Sequence, residues 1–184
     1  MADAVQAAIR HPAQAGQEFS APSVKLVVLP PAHRISLRAP AASVAALSEA
    51  LGLALPQKPK TSASKDSRTA LWLGPDEWLV IDGGAGDPLE ACASVKALHS
   101  AVGISHRNVA VSVTGPGAAN TINAGCPQDL SLAAFPVGAC SRTVLGKIEV
   151  VTWRTGETSF RVECWRSFSA YAFDLLEDAA RAAA

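Results

Sequence analysis

The chain has 184 residues, with 16 Lys and Arg against 16 Asp and Glu, 49% apolar residues and four cysteines. This length and apolar content predict one globular domain, or two small halves that share a core. A formal net charge of +0 argues against nucleic acid or an anionic membrane as partner, since both are found through positive potential. Charged residues make up 17% of the chain, below the roughly 25% of a typical domain, as expected if another protein covers part of the surface.

The cysteines and the chain's hydropathy exclude further classes. No CxxC motif occurs among Cys92, Cys126, Cys140 and Cys164, so we expect buried free thiols rather than a metal or redox site. A membrane-spanning helix needs about 18 consecutive apolar residues, and no stretch of this sequence approaches that length. The N-terminal residues lack the features of a secretory signal. We therefore expect a cytoplasmic protein.

The first part of the chain predicts an arm, two strands and a helix. Residues 1–23 are small and polar with several Pro and Gly, which predicts an N-terminal arm outside the core. The apolar run Val24–Leu29 and the alternating run Arg34–Arg38 each predict a strand. After Pro40, apolar residues at spacings of three and four predict a helix; they are Val44, Leu47, Leu51 and Leu55.

A polar loop, a hairpin and a second helix follow. Residues 57–68 are basic and rich in Ser, and predict a mobile surface loop. Residues 69–73 and 78–81 predict two strands around a tight turn at Gly74–Glu77. A helix is predicted to begin at Asp87 and to present an apolar side as far as Leu98.

The second half of the chain repeats this order. Residues 108–114 alternate between polar and apolar side chains and predict a strand, after which Gly115-Pro116 leads into a helix. Residues 148–153 and 160–165 predict two strands of a sheet, and residues 167–182 predict a last helix. Pro116 follows Pro40 by 76 positions, and Ser141-Arg142-Thr143 follows the same triplet at 67–69 by 74. We predict a duplicated α+β domain over 24–184, with β-α-ββ-α halves of about 24–102 and 103–184. Chance similarity of short strand-proline-helix units is the alternative.

Two motifs resemble parts of known sites, but we interpret both as structural. Gly83–Gly86 lies between a strand and a helix, but Leu89 stands where a dinucleotide fingerprint needs a third Gly, so we favour a flexible turn over an anion site. Ser105 and His106 would point to opposite faces of a strand, so they are not expected to act as nucleophile and base. We predict no catalytic, cofactor-binding or metal-binding residue in this chain.

Trp and Arg on the later sheet indicate a protein-binding face. These residue types dominate binding hot spots, so Trp153, Arg154 and Arg166 are candidate interface residues. Core packing is the alternative for the tryptophan. Lys58 and Lys60, in the polar loop, are candidate contacts for an acidic partner, with a solvated loop as the alternative.

The second half resembles the gamma subunits of heterotetrameric sarcosine oxidases. The residues that carry the resemblance are Ser105-His106-Arg107, Gly115-Pro116, Gly125-Cys126-Pro127, Asp129-Leu130, Phe135-Pro136, Gly138, Arg142-Thr143, Arg166-Ser167-Phe168 and Tyr171, with LWLGPDEWLV in the first half. The family is similar to the folate-binding domain of glycine-cleavage aminomethyltransferases, whose duplicated α+β architecture agrees with the repeat.

The resemblance implies a complex that demethylates sarcosine to glycine, passes the one-carbon unit to tetrahydrofolate and forms hydrogen peroxide. It also implies alpha, beta and delta partner subunits that hold FAD, FMN, NAD, the folate site and zinc. The aminomethyltransferases have an Asp-Asp pair where this chain reads Lys147-Ile148-Glu149. A one-residue shift on a strand turns a side chain to the other face, so we predict a structural, noncatalytic subunit.

Three alternatives stay open at this point. The chain could belong to a related complex that acts on another N-methyl amino acid, such as N-methylglutamate. It could be a stand-alone folate-binding, aminomethyltransferase-like protein that uses a groove between its halves. It could also fold alone as a homo-oligomer.

Overall fold

A computed structural model of the chain describes residues 13–14 and 16–182. These residues form eleven strands: β1 Glu18–Ala21, β2 Val24–Val28, β3 His33–Arg38, β4 Ser62–Lys65, β5 Arg68–Gly74, β6 Glu77–Asp82, β7 Ser100–Gly103, β8 Asn108–Thr114, β9 Cys140–Leu145, β10 Ile148–Gly156 and β11 Ser159–Trp165. The α-helices are α1 Val44–Leu51, α2 Pro88–Ala93, α3 Ala118–Asn123 and α4 Ser169–Ala182. Short 3-10 helices, Ala41–Ser43 and Arg166–Phe168, lead into α1 and α4.

The strands form two antiparallel sheets. Sheet A has the order β1-β2-β8-β11-β10-β9, and sheet B has the order β4-β5-β6-β3-β7. One face of sheet A packs on α3 and α4, and one face of sheet B packs on α1 and α2. The remaining faces pack on each other through a smaller apolar core: Leu71, Leu79, Ile81, Ile104, Cys140 and Val151. The result is a four-layer domain, which confirms the predicted α+β class.

The two sheets repeat one another with an exchange of strands. β3, β4, β5 and β6 in sheet B have the same order as β8, β9, β10 and β11 in sheet A. β7 lies beside β3, and the corresponding place beside β8 is taken by β2, from the start of the chain. The predicted halves, 24–102 and 103–184, are therefore not the structural units, because β2 belongs to the sheet of the second half.

The two sequence offsets used to detect the repeat differ in outcome. Pro40 and Pro116 follow the corresponding strands β3 and β8, which confirms the first offset. Ser67-Arg68-Thr69 begins β5, whereas Ser141-Arg142-Thr143 lies in β9, the counterpart of β4. The second correspondence is therefore wrong, because similar triplets fall on non-equivalent strands.

Sheet structure extends into two segments that were predicted to be outside it. β1 lies within the predicted arm, where Phe19 packs against the core of sheet A; the arm's residues 1–12 and 15 lie outside the described residues. β4 lies within the predicted loop 57–68 and pairs with β5. The helix predicted from Asp87 to Leu98 ends at Ala93, and β7 follows it.

The cysteine prediction is confirmed, since all four are buried free thiols. Burial raises the pKa of the Cys140 thiol to about 12 and, with Glu163 nearby, that of Cys164 to about 12. No helix within the described part of the chain is both long and apolar enough to cross a membrane.

Candidate functional site

The interface between the sheets contains a buried ion pair. Arg34, on β3, donates from Nε to both carboxylate oxygens of Glu163, on β11, at 3.1 and 2.8 Å. Both side chains are 1% exposed. Arg161, also on β11, donates to Glu163 Oε1 from Nε at 2.9 Å and from Nη2 at 2.7 Å. Two guanidiniums therefore share one carboxylate, which leaves one excess positive charge in the group.

A second ion pair links the sheets nearer to solvent. Arg142, on β9, donates to both carboxylate oxygens of Glu77, on β6. Arg38 donates to Glu77 Oε2 at 3.1 Å. The hydrogen bond from Arg142 holds the pKa of Glu77 below its usual value, against the effect of burial, and Arg38 adds to the lowering. Arg142 Nε also lies 3.8 Å from Glu149 Oε1, so that this carboxylate joins the same surface network.

The Ser105-His106 motif lies on a turn. Residues 105–107 connect β7 to β8, rather than forming part of a strand as we had predicted. Ser105 Oγ accepts a hydrogen bond of 2.9 Å from the backbone N–H of Arg34, and His106 is exposed. The serine therefore fixes the backbone beside the buried ion pair.

The glycine-rich turn after β6 has an internal carboxylate. Asp82 Oδ1 accepts hydrogen bonds from the Gly84 N–H at 2.8 Å and from Ser67 Oγ at 2.7 Å, and Arg68 Nε donates to Oδ2 at 2.9 Å. Burial alone would raise the pKa of Asp82, but these partners outweigh it and the pKa is lowered. This arrangement agrees with a structural turn, because a protein carboxylate takes the place of an anion.

A cavity of about 250 Å³, which we call the loop cavity, opens beside the buried ion pair. Its walls come mainly from the β2–β3 loop and the β7–β8 turn: Ala13, Leu29, Pro30, Pro31, Ala32, Arg34, Ser105, His106, Asn108, Val109 and Arg166. The walls are mostly apolar, and the charged lining residues are basic. Asn108 also lines the cleft between the sheets, so the two spaces are neighbours.

Two exposed aromatic residues lie where β11 ends: Trp165, its last residue, and Phe168. Together with Arg107 they form a surface that we call the aromatic patch. Trp165 and Phe168 are 42% and 41% exposed and stack with ring centroids 6.1 Å apart. Arg107 lies over the Trp165 ring, 5.2 Å from its centroid. Solvent-exposed aromatic rings that stack on each other and on arginine are typical of protein-binding surfaces. The sequence indicated that Trp and Arg residues occur near the later sheet, but not that these side chains contact one another in the fold.

The structure divides the five predicted interface residues among three settings. Arg166 is exposed beside the aromatic patch and lines the loop cavity. Lys58 and Lys60 are exposed in the loop before β4, and Trp153 is half-buried nearby, with Nε1 donating to Ser62 Oγ at 3.1 Å.

Arg154 differs from the other predicted interface residues because it is only 2% exposed. It donates to the carbonyl groups of Leu130 and Glu157 and stacks on the Phe160 ring. Burial lowers the pKa of this guanidinium. Arg154 is therefore a packing residue in this conformation, and the interface role predicted for it is not retained.

Comparison with known proteins identifies the family. The model of the sarcosine oxidase, gamma subunit family matches residues 36–182. The chain belongs to this family. A sarcosine oxidase subunit gamma from Corynebacterium sp. (strain P-1) is 36% identical over 171 residues, which cover 89% of this chain and 83% of that protein. A chain of the heterotetrameric sarcosine oxidase from Corynebacterium sp. U-96, solved in complex with pyrrole 2-carboxylate, is 30% identical with a TM-score of 0.83, over 90% of this chain and 88% of that chain.

Residues that carry the gamma-subunit resemblance fix turns of the fold. Gly115 has a φ of +116°, and a Cβ there would lie 2.3 Å from the carbonyl oxygen of Ser23. Tyr171 Oη accepts a hydrogen bond of 3.3 Å from the Lys147 N–H, at the β9–β10 turn. These gamma-subunit residues therefore position β2 beside β8 and the last helix beside sheet A.

A more distant solved structure supports the predicted fold. The glycine cleavage aminomethyltransferase T from Bartonella henselae is 13% identical, with a TM-score of 0.62, over 84% of this chain and 45% of that chain. At this identity the likeness concerns the fold alone.

The cleft between the sheets does not fit a folate. Its cavity volume is about 50 Å³, and both ion pairs contribute lining residues, among them Glu77, Arg142 and Glu163. Pockets for small molecules typically have volumes of about 300–1,000 Å³. A folate could enter only if the sheets separated and the ion pairs broke, so we derive no folate chemistry for this chain.

Proposed function

We propose that the chain is the gamma subunit of a heterotetrameric sarcosine oxidase and that it has a structural, noncatalytic role. The observation that carries this proposal is the match to a chain of the Corynebacterium heterotetramer over 90% of this chain and 88% of that chain. The proposed partners are alpha, beta and delta subunits in the cytoplasm. In this proposal those subunits hold FAD, FMN, NAD, tetrahydrofolate and zinc, and they carry out the oxidative demethylation of sarcosine to glycine with formation of hydrogen peroxide.

The carboxylates between the sheets are all engaged in ion pairs with arginines, which supports a noncatalytic role. A general base needs a lone pair that can reach a substrate, and a nucleophile needs a nearby base. Glu163 is committed to Arg34 and Arg161, and Glu77 to Arg142 and Arg38. These carboxylates hold the sheets together, and using either in a reaction would require breaking an ion pair.

The exposed surface supports assembly with other subunits. Large apolar side chains are exposed at several places: Leu98, Val102, Leu132, Val137, Val144, Trp165, Phe168 and Tyr171. The charged fraction of 17% leaves more of the surface apolar or uncharged than is usual. Where such side chains adjoin, as Trp165 and Phe168 do, exposed apolar surface commonly marks an interface.

The test is to express the chain with its three proposed partners, one of which carries an affinity tag. We expect the chain to co-purify with the tagged assembly in a fixed ratio to the other subunits. The tagged assembly produced without the chain is the control for nonspecific yield. If the chain remains behind while the other three subunits assemble, the proposal is wrong. Substrate profiling of the whole assembly, with sarcosine against N-methylglutamate, then separates the proposed complex from its closest alternative.

A further inference from the structure

The loop cavity and the aromatic patch lie next to each other on the surface. Arg107 belongs to the patch, while its neighbours His106 and Asn108 line the cavity. Trp165 pairs with Asn108 across β11 and β8, and Arg166, the next residue, also lines the cavity. A single partner segment can therefore contact the patch and enter the cavity together.

We propose that this combined surface docks an acidic segment of a larger partner subunit, which inserts one large apolar side chain into the loop cavity. This inference rests on the proposed function and specifies where and how the partner binds. It assigns the aromatic patch to the rim of the docking site and the loop cavity to its centre.

The size of the loop cavity favours a single side chain as the inserted group. An apolar cavity of about 150 Å³ is large enough to bind benzene. The loop cavity, at about 250 Å³, has room for a phenylalanine- or leucine-sized side chain. It is smaller than the roughly 300–1,000 Å³ typical of small-molecule pockets. A protein side chain therefore fits this space better than a cofactor.

The walls of the loop cavity are suited to an apolar anchor. Leu29, Pro30, Pro31, Ala32 and Val109 form most of the lining. Proline fixes φ near −65°, and the Leu29 N–H donates to the Ala110 carbonyl at 2.8 Å, which ties the loop to β8. Because the walls are already held in place, little conformational entropy is lost when an anchor binds.

The charges around the loop cavity favour an acidic partner. Arg34 lines it, and none of its described lining residues is Asp or Glu. Glu163 balances Arg34 but is shared with Arg161, so the buried group keeps a net positive charge. Arg107 adds an exposed positive charge at the patch. The carboxylates of Glu77 and Glu163, which line the adjoining cleft with Arg107, are each paired with two arginines. Acidic residues beside the anchor side chain would therefore be attracted to this surface.

The test lets each variant compete with the wild-type chain for the other three subunits and measures the ratio of variant to wild-type chain in the complex that forms. Trp165→Ala and Phe168→Ala remove the aromatic contacts, and each is expected to weaken binding roughly 30-fold, the scale of a hot-spot residue. Arg107→Glu is expected to weaken binding more at low salt than at high salt, because it reverses an attractive charge. The matched control is Leu132→Ala with Val137→Ala, whose side chains are 51% and 52% exposed elsewhere on the surface.

Thermal unfolding of each full-length variant ensures that only folded chains are compared. If the wild-type chain does not bind the other subunits, the proposed function and the docking site both fail. If the wild-type chain binds and the patch variants bind equally well, the docking site alone is wrong.

A crosslinking experiment tests the chemistry of the partner directly. Phe168→p-benzoylphenylalanine, photoactivated in the assembled complex, is expected to crosslink to a larger subunit at a segment that contains acidic residues and a large apolar residue. Mass spectrometry identifies the crosslinked peptide. A crosslink to a basic segment, or to a second copy of this chain, would overturn the proposal.

Discussion

Arg34 and Glu163, 129 positions apart in the sequence, form a buried ion pair that joins the two sheets at 2.8 Å. Arg34 comes from the strand that begins the first repeat, and Glu163 from the strand that ends the sheet region of the second. This pair and the apolar side chains around it fill most of the space between the sheets, so that the remaining cleft has a volume of only about 50 Å³.

Glu163→Leu is predicted to destabilise the chain by about 3–5 kcal/mol, because it leaves the buried Arg34 without its counter-ion. Arg34→Met should cost less, since Glu163 retains Arg161 at 2.7 Å. The free energy of unfolding in urea measures both effects. Arg181→Met is the control; it removes an exposed pair with Glu177 and a contact with the Phe19 ring, and is expected to cost only about 1 kcal/mol. Equal losses for Glu163→Leu and the control would refute this role.

Gly115→Ala is predicted to destabilise the chain by about 2 kcal/mol or more. The new Cβ would meet the Ser23 carbonyl oxygen at 2.3 Å, at a φ of +116° that L-residues rarely adopt. Gly52→Ala is the matched control, because Gly52 also has a positive φ, +64°, but has open space around it. The control should lose only about 1 kcal/mol in the same unfolding measurement. A larger loss at Gly52 than at Gly115 would contradict the close approach of β2 and β8.

The sequence pattern predicted the regular elements well where apolar periodicity was strong. β3, β5, β6, β8, β10 and β11 all lie close to their predicted positions, because each buries at least one face. β4 was missed because its sequence, SASK, is polar and lies at the edge of sheet B, where solvent-facing side chains are usual. α2 was predicted too long because Leu98 continued its apolar spacing, although this side chain is largely exposed.

Contacts between the repeats could not be predicted from local pattern. The placement of β2 beside β8 depends on pairing across more than 80 positions, as in Lys25 with Thr114. The Arg34–Glu163 pair and the loop cavity depend on the same long-range arrangement. Residue types alone suggested an interface that contains Arg and Trp, but they could not show that Arg154 is buried.

Acid is predicted to weaken the link between Glu77 and Arg142. Because the folded pKa of Glu77 lies below its usual value of 4.5, its stabilisation is fully present above about pH 4.5 and is lost as the pH falls through the folded pKa. Glu77→Gln should therefore be less stable than wild type at pH 7, and the difference should shrink towards zero below pH 4.5. Urea unfolding between pH 7 and 3 measures this. A difference that stays constant or grows in acid would contradict the ion pair.

The isolated chain is predicted not to bind tetrahydrofolate tightly. The cleft between the sheets has a cavity volume of only about 50 Å³, and ion pairs contribute to its lining. Isothermal titration calorimetry with tetrahydrofolate, using an active aminomethyltransferase as the positive control, tests this. Tight, stoichiometric binding by the isolated chain would favour the alternative of a stand-alone folate-binding protein.

The central claim is that this chain supports the assembly of a sarcosine-oxidising complex without carrying out its chemistry. The most direct measurement is the yield and sarcosine-dependent hydrogen peroxide production of the complex expressed with and without the chain. We predict that omitting the chain sharply lowers the amount of assembled complex and, with it, the total rate of peroxide formation. Unchanged yield and unchanged activity without the chain would contradict the claim.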